Sequence, residues 1–206
     1  MLAGLFIFYL YQGLSPSAAF LGVVLVSVVF GCVVLHELGH AFMARRFGIP
    51  TLDITMYPIG GIARLQRMPK APMEEFLIAI AGPAVNLAIA VLLYVVNAGA
   101  GGSASLESAL HVQSNILGML MWINLSLVVF NLIPAFPMDG GRVLRAALAS
   151  QMDYRNATHV ASLIGQAIAV LFGIYGIYSG NWTLPFVAIF VFIAARQEVQ
   201  QVMERT

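Results

Sequence analysis

Charge is what this sequence has least of. Asp, Glu, Lys and Arg make up 9% of its 206 residues, against roughly a quarter in an average soluble protein. None of them precedes Glu37. With 60% hydrophobic residues and a mean hydropathy of +0.89, the chain carries more apolar surface than a water-soluble fold can bury. A multi-pass membrane protein, with the lipid bilayer as its solvent, is the class that remains. Cysteine is almost absent too, and the single Cys32 excludes an intramolecular disulfide. No basic cluster is interleaved with aromatics, so no nucleic-acid partner is expected. No basic residue precedes the apolar start at Leu2–Tyr11 and no small-residue cleavage site follows it, which argues against a cleavable signal peptide. Ten helical residues cover only ~15 Å, about half of a bilayer's hydrocarbon thickness. The expectation is one domain, 1–206, whose first helix is truncated at the N-terminus.

What is present are six apolar segments: 2–11, 18–44, 76–96, 116–132, 160–178 and 182–195. The ten basic residues sort cleanly among their connections. Arg45, Arg46, Arg64, Arg67 and Lys70 fall between segments two and three. Arg142, Arg145 and Arg155 fall between four and five, and Arg196 and Arg205 follow six. All lie on one side, which the positive-inside rule makes cytoplasmic, together with both termini. Between segments two and three, Leu52, Ile54 and Met56 alternate with Asp53, Thr55 and Tyr57, the period of a strand. Pro58-Ile59-Gly60-Gly61 reads as a turn into a second short strand. The expected fold class is therefore an α-helical transmembrane bundle of about six segments with a short β-hairpin. An unpaired strand edge cannot face lipid, and it could accept an extended peptide as a further strand.

Segment two ends in His36-Glu37-Leu38-Gly39-His40. On a helix His36 and His40 lie one turn apart on one face, able to share a metal ion. Glu37 is placed between them to take a proton from a water the metal activates. Counted back from Arg45 and Arg46, the pair lies ~8–15 Å inside the cytoplasmic end of the helix. Zinc needs a third protein ligand and keeps one position open. The extended soluble motif would place Gly at 43 and His at 46, where this chain has Met43 and Arg46. Most other carboxylates and histidines flank the apolar segments as solvated interface residues do, and Glu107 and His111 are on the opposite side.

Asp139 stands apart from these. It follows Asn131-Leu132-Ile133-Pro134-Ala135-Phe136-Pro137-Met138 and precedes Gly140-Gly141-Arg142. Two prolines break the fourth helix while the chain is still apolar, and broken backbone at that depth must be buried in protein or line a cavity. A carboxylate there calls for a partner or a metal. Capping a helix over 140–149 and pairing with Arg142 are the alternatives to ligation. Cys32, one turn before His36, is within reach of a metal but reads as a buried core residue. Asn124 reads as interhelical glue. Asn86, in Ala81-Gly82-Pro83-Ala84-Val85-Asn86, reads equally as glue or as support for the His pair. His111 and His159 read as interfacial polar residues.

The His36–His40 motif, the Asn131–Arg142 stretch, Pro58-Ile59-Gly60-Gly61 and Ala81–Asn86 together resemble the site-2 protease family of intramembrane zinc metalloproteases. The resemblance runs from about segment two to the end of the chain. It implies one Zn²⁺ per chain, with His36, His40 and Asp139 as ligands and Glu37 as catalytic base. It also implies that Asn131 helps to stabilise the reacting carbonyl. The reaction implied is cleavage within or near the transmembrane helix of a single-span membrane protein. Many members add a PDZ module or a pair of CBS modules; this chain resembles the membrane core alone. A catalytically inactive zinc-binding membrane protein and a metal transporter are the competing classes. The transporter is disfavoured because the polar residues converge on one side and Glu37 is retained. A prenyl-protein-type metallopeptidase would need differently arranged Glu and His motifs. The residues say nothing of oligomeric state.

Overall fold

The computed structural model describes residues 2–57, 60–65, 69, 71–109 and 115–205. The stretches 58–59, 66–68 and 110–114, along with Lys70, fall outside it, so the expectations on Pro58-Ile59, Arg67, Lys70 and His111 lie outside the described residues. The elements in order are α1 (Leu2–Tyr11), α2 (Pro16–Arg46), β1 (Thr51–Tyr57), β2 (Gly60–Leu65), α3 (Pro72–Gly99), α4 (Leu106–Ala109), α5 (Ile116–Asn131), α6 (Asp139–Ala149), α7 (Tyr154–Tyr178) and α8 (Thr183–Arg205).

Local chemistry marks the helix ends. Ser15 caps α2 by accepting the Ala18 N–H, with Pro16 at the first helical position where its missing N–H costs nothing. Asn115 caps α5 through the Gly118 N–H, and Asp153 caps α7 through the Asn156 N–H. The turn between α7 and α8 uses Gly180 at φ 71°, a conformation that favours glycine. β1 and β2 pair antiparallel from Tyr57↔Gly60 to Thr51↔Leu65, with an irregularity between Thr51 and Asp53.

Among the described residues four helices are long and apolar enough to cross a bilayer: α2, α3, α7 and α8. The sequence reading drew six crossing segments. The other two are the shorter helices α1, of 10 residues, and α5, of 16. α5 stops at Asn131 because the chain ahead holds Pro134 and Pro137, leaving a helix of ~24 Å.

Several polar and ionisable side chains are buried while many large apolar ones face outward. Asn86 and Asn124 are fully buried and His36, His40 and Asp139 nearly so, whereas Ile174 is 61% and Phe186 75% exposed. In water that distribution would be a large aggregation surface; in lipid it is the expected one. The buried apolar residues are mostly small, alanines above all, and small residues let backbones approach where no hydrophobic effect pulls helices together. Gly39 on α2 faces Ala81 and Val85 on α3, where an added Cβ would lie 2.9 Å from the Ala81 carbonyl oxygen and 2.8 Å from a Val85 methyl. That crossing sets the floor of the polar interior.

Candidate metal centre

α2 presents His36 and His40 from successive turns, and their rings meet edge to face with centroids 4.7 Å apart. α3 crosses so closely that a Cβ on Gly82 would collide with the His40 ring and lie 2.7 Å from His36 Nε2. Any side chain at 82 would displace the imidazoles. Pro83, next in α3, has no N–H for the Ala79 carbonyl and loosens the helix ladder in this turn.

Asp139 arrives from the other direction. Residues 132–138 form an irregular loop between α5 and α6, held by Ala135 N–H to Ile133 O (2.7 Å) and Met138 N–H to Ala135 O (3.0 Å). Gly140 sits against the Leu132 and Ile133 carbonyls, and Gly141 against the Phe136 and Ala135 backbone. A side chain at either position would push Asp139 away from the loop. Gly165 of α7 backs the same loop, where a Cβ would come 2.9 Å from Ala135 Cα. Asp139 is itself the first residue of α6; Met138 occupies the cap position, so the capping alternative for Asp139 does not hold. Among the described residues no ion pair joins Asp139 to Arg142.

The result is a triangle of side-chain atoms. His36 Nε2, His40 Nε2 and Asp139 Oδ2 are 3.1 Å apart along every edge. All three residues are buried. The outer nitrogens fix the protonation. His40 Nδ1 lies 2.7 Å from the Ile78 carbonyl, which can only accept, so Nδ1 carries the proton. His36 Nδ1 likewise donates to Asn86 Oδ1 at 3.1 Å. In a neutral ring the inner nitrogen then carries the lone pair, beside a carboxylate oxygen. Two such nitrogens and a carboxylate oxygen are a donor set that can hold a metal ion. A tetrahedral zinc ion with bonds of about 2.0–2.1 Å sets its ligand atoms about 3.3 Å apart. The triangle fits a metal of that size, and the outer hydrogen bonds are the kind that orient zinc-binding imidazoles.

Glu37 is buried beside the pair, 9% exposed, and its carboxylate makes no hydrogen bond among the described residues. Asn131 lies at the end of α5, half-buried, with Nδ2 donating to the Leu127 carbonyl at 3.0 Å; among the described residues no hydrogen bond joins it to the triangle. Cys32 is away from it, at 3.5 Å from Asn124 Nδ2. That contact joins α5 to α2, as the interhelical role read from the sequence expects, while the other Asn124 hydrogen bond, to Leu120 O, stays within α5.

The sequence reading missed a second buried polar cluster. Arg145 of α6 donates from Nε and Nη2 to Glu75 Oε1 on α3 (2.8 and 2.5 Å) and from Nη1 to Glu198 Oε1 on α8 (2.6 Å). Its guanidinium also stacks 4.9 Å from the Phe136 and Tyr154 ring centres. Burial works against the Arg145 charge, but the two carboxylates outweigh it and raise its pKa.

Comparison with known proteins agrees with this geometry. Residues 24–110 and 103–172 match the model of Peptidase family M50. A zinc metalloprotease of Methanocaldococcus jannaschii is 39% identical over 186 residues, covering 89% of this chain and 51% of that protein. A putative zinc metalloprotease of Synechocystis sp. is 37% identical over 162 residues, covering 76% of this chain and 41% of that one. The chain thus spans about half the length of the curated relatives it matches. The solved structure of a site-2 protease from Methanocaldococcus jannaschii matches with a TM-score of 0.67 at 37% identity, over 94% of this chain and 87% of that one. The chain belongs to Peptidase family M50, the site-2 protease family.

Proposed function

We propose that this chain is an intramembrane zinc endopeptidase, acting as one domain, that cuts a peptide bond within or near the transmembrane helix of a single-span membrane protein. The observation that carries the reading is the triangle of converging lone pairs with a free carboxylate next to it in sequence. His36, His40 and Asp139 are the residues that would hold zinc. When bound, zinc supplies a Lewis acid and brings the pKa of a water down to about 7.

The remaining work falls to the chain's own groups. Glu37 accepts the proton of the attacking water and returns it to the leaving amine. Asn131 carries two amide hydrogens, so one can stay on the Leu127 carbonyl while the other donates to the developing oxyanion. A helical peptide bond is shielded, so the substrate must be drawn out. The β-hairpin formed by β1 and β2 supports that step, since a strand edge can hold a peptide extended by main-chain hydrogen bonds. The one-sided distribution of Lys and Arg supports placing both termini and the catalytic side in the cytoplasm.

The test is cleavage of a single-span substrate by purified protein in lipid, with zinc content measured on the same samples. Glu37→Gln is expected to keep zinc at the wild-type stoichiometry and to lose at least ~10³-fold in rate. Unchanged cleavage in Glu37→Gln would overturn the mechanism. A wild-type protein that binds zinc and cuts no member of a substrate panel would favour the binding-only class instead. Asn131→Ala is expected to lower kcat by about 10²–10³ with zinc content unchanged.

A further inference from the structure

Arg145 stands between two parts of the chain that build the metal triangle. On one side its Nε and Nη2 donate to Glu75 Oε1 on α3. Ile78, whose carbonyl holds His40 Nδ1, is on the next turn of that same helix. On the other side the Arg145 guanidinium lies 4.9 Å from the Phe136 ring centre, and Phe136 belongs to the loop that delivers Asp139. A planar guanidinium can donate in its own plane to carboxylates while its face rests on an aromatic ring, so the two attachments do not compete.

The loop can carry that contact to the ligand. Ala135 O accepts from the Met138 N–H at 3.0 Å, and Met138 O accepts from the Gly141 N–H at 3.1 Å. A Cβ on Gly141 would lie 2.7 Å from the Phe136 backbone nitrogen. The backbone from 135 to 141 is therefore one tight unit, with Phe136 and Asp139 both inside it. The Phe136 side chain is 1% exposed and packs with Ala161 of α7 and Ala195 of α8, so it is enclosed on the sides that Arg145 does not cover. Tyr154 offers a contrast. Its ring centre is also 4.9 Å from the guanidinium, but it opens α7 and lies outside the 135–141 unit.

We propose that Arg145 is a positioning residue of the metal centre, which through Phe136 holds the Asp139 carboxylate at ligating distance from His36 and His40. This role rests on the triangle being a zinc site. It gives the buried ion cluster a part in metal binding beyond joining α3, α6 and α8.

The test is zinc affinity, read by competition with a chelator on the purified full chain in detergent, at a temperature where circular dichroism shows each variant folded. Phe136→Leu keeps an apolar side chain and removes the ring face; it is expected to weaken zinc about 10-fold, as loss of a group that orients a ligand does. Arg145→Lys keeps a charge for Glu75 and Glu198 without the planar face, and should weaken zinc by a similar factor. The double variant should be no weaker than either single one, because both remove the same contact. Tyr154→Leu should bind zinc as the wild type does. At saturating zinc, Phe136→Leu should lower kcat for a single-span substrate and leave KM unchanged. Wild-type zinc affinity in Phe136→Leu, with zinc lost from Asp139→Ala in the same assay, overturns the positioning role and leaves the ligand assignment standing. Equal weakening by Tyr154→Leu, or losses that multiply in the double variant, also overturn it, since any loosening of the cluster would then suffice. Zinc retained by Asp139→Ala would remove the ligand assignment itself, and this role with it.

Discussion

Two buried polar clusters tie α3 to α6, and they are built on opposite principles. At Arg145 a cation comes with the fold: all three nitrogens of one guanidinium donate to carboxylates from α3 and α8. At His36, His40 and Asp139 every inward atom is an acceptor, because the outer nitrogens have spent their protons on Asn86 and Ile78. The first cluster is closed, apart from one Glu75 oxygen that has no partner. The second turns its ligand atoms toward one point, where they could hold a metal ion. Burial of polar groups is common to both and does not distinguish structure from chemistry. The balance of donors and acceptors does.

The largest effect should come from removing an acceptor from the open cluster. Asp139→Ala leaves two imidazoles, too few for a stable zinc site, so zinc is expected to fall from about one per chain to background and cleavage to vanish. Metal analysis of the purified variant checks this. Undiminished zinc would mean that another residue completes the site and that the two clusters do not divide as drawn.

Next in size is removal of the cation from the closed cluster. Arg145→Met strands Glu75, which is 1% exposed, as an unpaired buried charge, at an expected cost of about 3–5 kcal/mol. Neutralising the partners as well, in Glu75→Gln/Arg145→Met/Glu198→Gln, should recover most of that loss. Thermal unfolding in detergent reads both. If the single variant is as stable as the wild type, the Glu75 carboxylate is served by water and the cluster is not closed at all. No equivalent rescue exists for the metal triangle, where replacing all three ligands by apolar residues could restore stability but not zinc.

The open cluster was legible in the sequence and the closed one was not, for physical reasons. His36 and His40 are linked by one helical turn, and Asp139 stands out because prolines and glycines break an apolar helix beside it. Arg145 carries no such mark. In sequence it is one more basic residue near a membrane end, and its partners lie 70 and 53 residues away. The Ile78 carbonyl that holds His40 is invisible for a simpler reason, since every residue has a carbonyl. Helix positions followed from the apolar runs, but the number of full crossings did not. The break after α5 was readable from Pro134 and Pro137, but hydropathy alone counts α1 and α5 as crossings although they hold only 10 and 16 residues.

The smallest effect is also the sharpest test of the contrast, because it separates zinc binding from folding. Asn86 is fully buried; its Oδ1 accepts from His36 Nδ1, and its Nδ2 has no partner. An orphaned buried amide is a cost to the fold, so the residue earns its place through Oδ1 alone. Asn86→Leu keeps the number of side-chain heavy atoms and removes that acceptor and the orphan together, leaving the His36 Nδ1–H as the unpaired group in the orphan's place. Stability should then change by less than ~1 kcal/mol, while zinc affinity falls about 10–100-fold as His36 loses the group that orients its ring. Asn124 supplies the control. It is equally buried and also has one orphan atom, Oδ1, but it bonds Leu120 and Cys32 and not the triangle. Asn124→Leu should leave zinc affinity untouched. A competition titration with a zinc chelator measures both variants. Equal losses in the two would show that any buried asparagine between these helices matters to the metal, and the specific Asn86–His36 link would have to be given up.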